Sequence, residues 1–160
     1  MNDLKKTVKV ALGVGSNIGD GEKHIGKAAE LLRSRGFKNL LSSSLFITKP
    51  VGCVPGTPDF TNCVFVGEWN GSAEALLDLT QSIEVELGRP VVHRSDEARV
   101  IDLDILLFGE KTLVSERLTI PHPRMCDRLF VIEPLNELAK NWQIPGNGSV
   151  QSVLMSLKGE

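Results

Sequence analysis

Arg99-Val100-Ile101-Asp102-Leu103-Asp104-Ile105-Leu106-Leu107-Phe108 is the stretch from which this chain is best read. Val, Ile, Leu and Phe dominate it, which predicts a β-strand. Successive strand side chains alternate between faces, so Asp102 and Asp104 share one face with Cα atoms roughly 6.6 Å apart. Ile101, Leu103 and Ile105 then point the other way, into a core. Two carboxylates held side by side repel unless positive charge lies between them. A divalent cation or an arginine supplies it, and Arg99 and Arg89 lie upstream. Hard oxygen ligands beside arginines suggest Mg²⁺ with phosphates, since Mg²⁺ takes one or two carboxylates plus substrate oxygens. The plain alternative is a strand whose outer face is solvated or paired with surface Arg or Lys.

Outward from this strand, the chain alternates two periodicities. Val8 to Val14 reads as a first strand and Gly15 to Gly21 as a turn-rich loop. Glu22 to Arg35 has helical spacing of Ile25, Ala28, Ala29, Leu31 and Leu32, and Gly36 suits a helix stop. Leu40 to Thr48 reads as a second strand and Lys49 to Asp59 as a proline-rich loop. Phe60 to Trp69 is a third strand, and Ser72 can cap a helix over Ala73 to Leu87 that Gly88 closes. Arg89 to Ala98 is polar without periodicity, and Val100 to Phe108 is the fourth strand. A short edge hairpin is expected around Lys111 to Val114, a helix or tightly packed segment at Phe130 to Ala139, and a short terminal helix at Ser149 to Leu157. The order β-α-β-β-α-β predicts an α+β, ferredoxin-like core: an antiparallel sheet with helices packed on one face, leaving the other for a site.

A length of 160 residues suits one domain, spanning 1–160. Hydrophobic residues at 41% are enough for a real core. A net charge of −2 gives no global field for nucleic acid or membrane, so a polyanion would need a local arginine cluster. The apolar run at Val8 is too short for a signal peptide or a span. Cys53, Cys63 and Cys126 form no CxxC pair, which suits a reducing cytosol and disfavours a zinc site.

Several further residues carry chemical content. Gly13-Val14-Gly15-Ser16-Asn17-Ile18-Gly19 looks like a phosphate loop, but Ile18 stands where a dinucleotide fingerprint needs glycine, and a plain turn reads better. Arg89 and Arg99 offer planar forks matched to phosphate. His122 sits between two prolines, near Arg117, Arg124 and Arg128, and could donate to a triphosphate. Phe60 and Asn62 lie two apart on one strand, and an amide beside a ring suits a flat heterocycle. Each has a bland alternative as surface or half-exposed structure.

Taken together, the chain resembles the 6-hydroxymethyl-7,8-dihydropterin pyrophosphokinase family of folate biosynthesis. The matching text is Gly15-Ser16-Asn17, Pro58-Asp59-Phe60-Thr61-Asn62, Gln81-Ser82-Ile83-Glu84, Leu87-Gly88-Arg89, Arg99 to Gly109, Leu118 to Met125, Arg128 and Phe130. The resemblance implies transfer of pyrophosphate from ATP to the pterin hydroxymethyl group, releasing AMP, in the cytoplasm. It implies that Asp102 and Asp104 bind two Mg²⁺ ions and that Arg89 and Arg99 contact phosphates. It places Gln81, Glu84, Arg117, Thr119, His122 and Arg128 on the ATP side. On the pterin side it places Thr48, Val51, Phe60, Asn62 and Phe130, with Asn62 on the edge of the ring and Phe130 on its face. ATP and the pterin are the expected partners, with no nucleic acid and no membrane; partner proteins are not specified.

One departure from the family pattern stands out. The loop before the aspartate strand usually ends in Arg-Trp-Gly-Pro-Arg or something close, whereas here it reads Ser95-Asp96-Glu97-Ala98-Arg99. Asp96 stands where an aromatic residue would fold over the pterin, which predicts a lid that closes less tightly. Two other readings are a ferredoxin-like ligand-binding module without catalysis and an RNA-binding sheet. The intact Asp102, Asp104, Arg89, Arg99 and His122 oppose the first. Negative net charge and the lack of an RNP-type aromatic strand oppose the second.

Overall fold

A computed structural model describes residues 7–49, 55–56, 58–88 and 100–159 of the chain. The elements run β1 (Val8–Ser16), α1 (Gly21–Ser34), β2 (Lys38–Ser42), β3 (Phe46–Thr48), β4 (Phe60–Trp69), α2 (Ala73–Glu86) and β5 (Asp102–Phe108). Then follow β6 (Leu113–Val114), β7 (Thr119–Ile120), a short 3₁₀ turn at Met125–Asp127, α3 (Leu129–Ala139), β8 (Gln143–Ile144), β9 (Gly148–Ser149) and α4 (Val150–Leu157). The main sheet has the order β2-β4-β1-β5, with β3 also paired to β4. All its pairings are antiparallel. This is the ferredoxin-like arrangement that the element order predicts.

Local chemistry explains the boundaries. Asp20 accepts from the Lys23 N–H at 3.2 Å and Ser72 from the Ala75 N–H at 3.0 Å, each satisfying an orphan donor of a helix start. Gly36 and Gly88 follow the two helices at φ 106° and 122°, conformations that side chains resist. The expected second strand splits in two around Ser43. The buried Ser43 uses its hydroxyl oxygen, in place of a carbonyl, to accept from the Val64 N–H at 2.9 Å, so pairing with β4 survives the break. The expected edge hairpin is present as β6 paired to β7.

The core has two layers. Ile25, Ala28 and Leu32 of α1 and Leu76 and Ile83 of α2 pack against Val10, Leu12, Val14, Phe65, Leu103 and Ile105. This is the expected helical face. The opposite face is not left bare: α3 and α4 cover it with Ile132, Leu135, Val150 and Val153, against Ala11, Val64, Val66, Leu106 and Leu107. A register shift between Ala11 and Leu12 makes room for this. At that bulge, Leu106 and Leu107 both join the second layer, where strict alternation predicts only one of them. The covered part lies at the Ala11–Val66 end of the sheet, so the end holding Gly15, Asn62 and Asp102 remains for a cleft. No helix among the described residues is long and apolar enough to cross a membrane.

Candidate active site

The cleft at the open end of the sheet has a volume of about 610 Å³, within the range of small-molecule sites. Its floor is β1. Gly15 pairs with Asp102 of β5 on one side and with Asn62 of β4 on the other. Gly13 pairs with Asp104 in the same way. Gly13 lies inside the strand as expected, and Gly15 lies there too rather than in the expected loop, because it pairs on both sides and β1 runs on to Ser16. A side chain at Gly15 would meet Asn62 Oδ1 at 3.2 Å and Phe60 Cδ1 at 3.6 Å. Glycine at period two is the signal for this floor, and it points to a backbone that a ligand approaches closely.

Asp102 and Asp104 are half-buried and both line the cleft, as their shared strand face requires. Across the floor, Asn62 is 7% exposed and its amide donates to Thr48 Oγ1 at 2.8 Å and to the Phe46 carbonyl at 3.2 Å. These bonds lock the amide plane against β3. Phe60 lines the same wall. Asn17, after the Gly-Ser pair, donates to the Pro58 carbonyl at 3.3 Å and ties the start of β4 to the end of β1.

The remaining wall comes from the segment after β7 and the start of α3. His122, Arg124, Arg128 and Phe130 all line the cleft. The His122 backbone N–H donates to the Leu106 carbonyl at 3.0 Å, which docks the Pro-His-Pro segment onto β5. Its Nδ1 accepts from the Arg124 N–H at 3.2 Å, so Nε2 carries the proton of the neutral ring. Burial pushes the His122 pKa down, Arg128 and Arg124 push it further, and Asp102 pulls it up. The Arg128 guanidinium stacks over the Phe130 ring at 5.6 Å. Cys63 also borders the cleft, but burial pushes its thiol up to about 11, which keeps it protonated and unreactive.

The structure therefore gathers Asp102, Asp104, Thr48, Phe60, Asn62, His122, Arg128 and Phe130 in one place. It adds Lys49 and Arg124, which the sequence reading left out of the site. Lysine and arginine are common on any surface, and only the cleft singles these two out. Gln81, Glu84, Arg117 and Thr119 are not among the described residues that line it. Arg117 is exposed and pairs with Asp78 at 2.7 Å and Glu74 at 3.2 Å, with Gln81 accepting at 3.3 Å. Glu84 is buried under β5 and accepts from the Leu103 N–H at 2.7 Å. Thr119 lies on β7. Arg89, Arg99, Val51 and the Ser95 to Ala98 lid fall outside the described residues.

Comparison with known proteins supports the same reading. The sequence profile for 7,8-dihydro-6-hydroxymethylpterin-pyrophosphokinase (HPPK) matches residues 11–140. The chain is 40% identical over 130 residues to the 2-amino-4-hydroxy-6-hydroxymethyldihydropteridine pyrophosphokinase of Bacillus subtilis, covering 81% of this chain and 77% of that one. It is 38% identical over 137 residues to the enzyme of the same name from Haemophilus influenzae, covering 85% and 84%. The fold is similar to that of Plasmodium falciparum HPPK-DHPS, with a TM-score of 0.72 at 15% identity. That match covers 94% of this chain and 45% of the longer parasite chain. The chain belongs to the 7,8-dihydro-6-hydroxymethylpterin-pyrophosphokinase (HPPK) family, the enzymes that transfer pyrophosphate to hydroxymethyldihydropterin in folate synthesis.

Proposed function

We propose that the cleft between Asp102 and Asn62 is where this pyrophosphokinase carries out its reaction, taking pyrophosphate from ATP to 6-hydroxymethyl-7,8-dihydropterin and releasing AMP. What carries the reading is the division of the floor. Carboxylates line one side of Gly15 and a locked amide with aromatic rings lines the other. One side suits cation-bound phosphates and the other a flat heterocycle.

On the pterin side, Asn62 and Thr48 read the ring edge while Phe60 and Phe130 enclose its faces. Burial of Asn62 raises the cost of a ligand that leaves its polar atoms unmatched. Val51, beyond Thr48, completes the ring edge. On the phosphate side, His122, Arg124 and Arg128 present positive or donor groups to the triphosphate, with Arg89 and Arg99, which precede β5 in the chain, joining them. Gln81, Arg117 and Thr119 would contact the nucleotide from the rim, which requires Arg117 to leave Asp78 and Glu74.

The donor set of Asp102 and Asp104 fits Mg²⁺: two hard carboxylates in a half-buried cleft beside phosphate-binding cations. Two Mg²⁺ ions held there would neutralise the triphosphate charge during transfer. The chain itself does the aligning. The pterin oxygen forms a bond to the β-phosphorus, the bond from that phosphorus to the α–β bridging oxygen breaks, and AMP leaves. The hydroxyl proton passes from the pterin oxygen to solvent water. Holding both substrates in line can supply ~7–11 kcal/mol of the barrier reduction. The whole chain acts as one such domain, in the cytoplasm, where ATP is available.

The test is to mix the protein with ATP, Mg²⁺ and 6-hydroxymethyl-7,8-dihydropterin and to separate AMP from ADP. Pterin-dependent AMP supports this reaction. ADP as the product overturns the assignment of pyrophosphate transfer.

A further inference from the structure

Among the described residues β5 is the outer strand of the sheet, and only β1 pairs with it along Asp102 to Ile105. Its outward backbone groups therefore face no neighbouring strand among the described residues. The Leu103 N–H is one of these, and Glu84 of α2 accepts its proton at 2.7 Å. Glu84 is 8% exposed, which is unusual for a carboxyl side chain. Leu103 stands between Asp102 and Asp104, and its side chain enters the core on the α2 side while theirs enter the cleft. A little further along the same edge, the His122 N–H bonds to the Leu106 carbonyl. The metal-side strand is thus pinned from outside at two points.

We propose that Glu84 is a positioning residue: by bonding the Leu103 N–H it fixes the backbone between Asp102 and Asp104, and so sets the spacing of their carboxylates for cation binding. The resemblance groups Glu84 with the nucleotide, but the geometry gives it this other task. An edge strand is held by neighbouring backbone on one side only. The spacing of two carboxylates carried by neighbouring positions of such a strand follows the backbone between them. A buried acceptor on a rigid helix holds that backbone, much as outer-sphere hydrogen bonds orient ligands in other metal sites. The inference rests on Asp102 and Asp104 being the cation ligands.

The experiment uses the full chain with Mn²⁺ and α,β-methylene-ATP, reading bound Mn²⁺ by electron paramagnetic resonance. Hydrogen exchange at the Leu103 amide is read without metal. Glu84→Ala should lose protection at Leu103 and weaken Mn²⁺ binding by about tenfold or more. Glu84→Gln, whose amide oxygen still accepts, should keep both properties. Wild-type Mn²⁺ affinity in Glu84→Ala overturns the proposal. So does equal loss in Glu84→Gln, because that would make the charge rather than the hydrogen bond decisive. Should Glu84→Ala not fold, Glu84→Gln decides alone: retained Leu103 protection and Mn²⁺ affinity support the proposal, and their loss overturns it. Asp102→Asn separates the two levels. Unchanged Mn²⁺ binding there overturns the metal reading itself, whereas weakened binding there with an unaffected Glu84→Ala overturns only the role of Glu84.

Discussion

Asp102 and Asn62 flank the same residue, Gly15, from opposite sides of β1. Two strand spacings, about 9.6 Å, separate their backbones. The bare glycine between them lets a ligand lie on the sheet and reach both. Gly15→Ala should leave the strand intact, yet its methyl would press on Asn62 Oδ1 at 3.2 Å. Such crowding costs about 1–3 kcal/mol, or roughly ten- to hundredfold in pterin affinity. Isothermal titration with the pterin, beside a melting curve, checks this. Wild-type affinity would show that the ligand does not use the floor.

Asp102→Asn and Asp104→Asn would each remove one proposed cation ligand while keeping the side-chain shape. AMP production should fall by at least about hundredfold, the scale of losing a few kcal/mol of charge stabilisation. The melting temperature should change much less than the rate, because the amide keeps the shape of the carboxylate it replaces. Rate against Mg²⁺ concentration, with a thermal melt of each variant, separates the two effects. A drop in rate that tracks a drop in melting temperature would mean a fold defect instead.

Asn62→Ala strands the Thr48 hydroxyl and the Phe46 carbonyl, which now accept from its amide. Unfolding by urea should show a loss of about 1 kcal/mol, because the two stranded acceptors are only half-buried. Thr48→Val keeps the shape and removes one acceptor, so its cost should be smaller. Both should raise the KM for the pterin more than the KM for ATP. Equal effects on the two KM values would argue against a pterin-side role.

His122 is held below its ordinary value of 6.5, chiefly by burial and then by Arg128. The folded chain therefore keeps His122 neutral at a pH where the unfolded chain protonates it. Its contribution to stability is full above pH 6.5 and is lost as the pH falls from there toward the lowered folded value. The urea midpoint of the wild type minus that of His122→Asn should shrink over this range. A difference that grows on acidification would show the opposite sign of shift.

Asp96→Trp tests the expected lid by putting an aromatic residue where the resemblance calls for one. Pterin binding should tighten, with Mn²⁺ affinity unchanged. Equal pterin affinity in a calorimetric titration would count against a lid role for this position.

Sequence periodicity was enough to read the ferredoxin-like core, because burial on one face writes a period of two into strands and 3.6 into helices. It also put Asp102 with Asp104, and Phe60 with Asn62, since residues two apart on a strand must share a face. The caps at Ser72 and the stops at Gly36 and Gly88 were legible for the same local reason. The bulge at Leu106 was not, because Leu106 and Leu107 differ in their surroundings and not in their chemistry. Arg117 shows a related limit: its carboxylate partners Glu74 and Asp78 lie on another element.

By itself, the sequence determined which side chains could perform this chemistry and which of them share a strand face. Only the tertiary structure decided that the two pairs open on one cleft. Asp102 and Asn62 lie 40 residues apart in the chain. They come together because β1 threads between their strands and offers both the same glycine. The tertiary structure also decided that α3 and α4 cover the far end of that face, and that Glu84 fills a gap at the sheet edge. Those outcomes depend on which backbone groups lack a partner once strands pair, and a residue-by-residue reading does not contain that information.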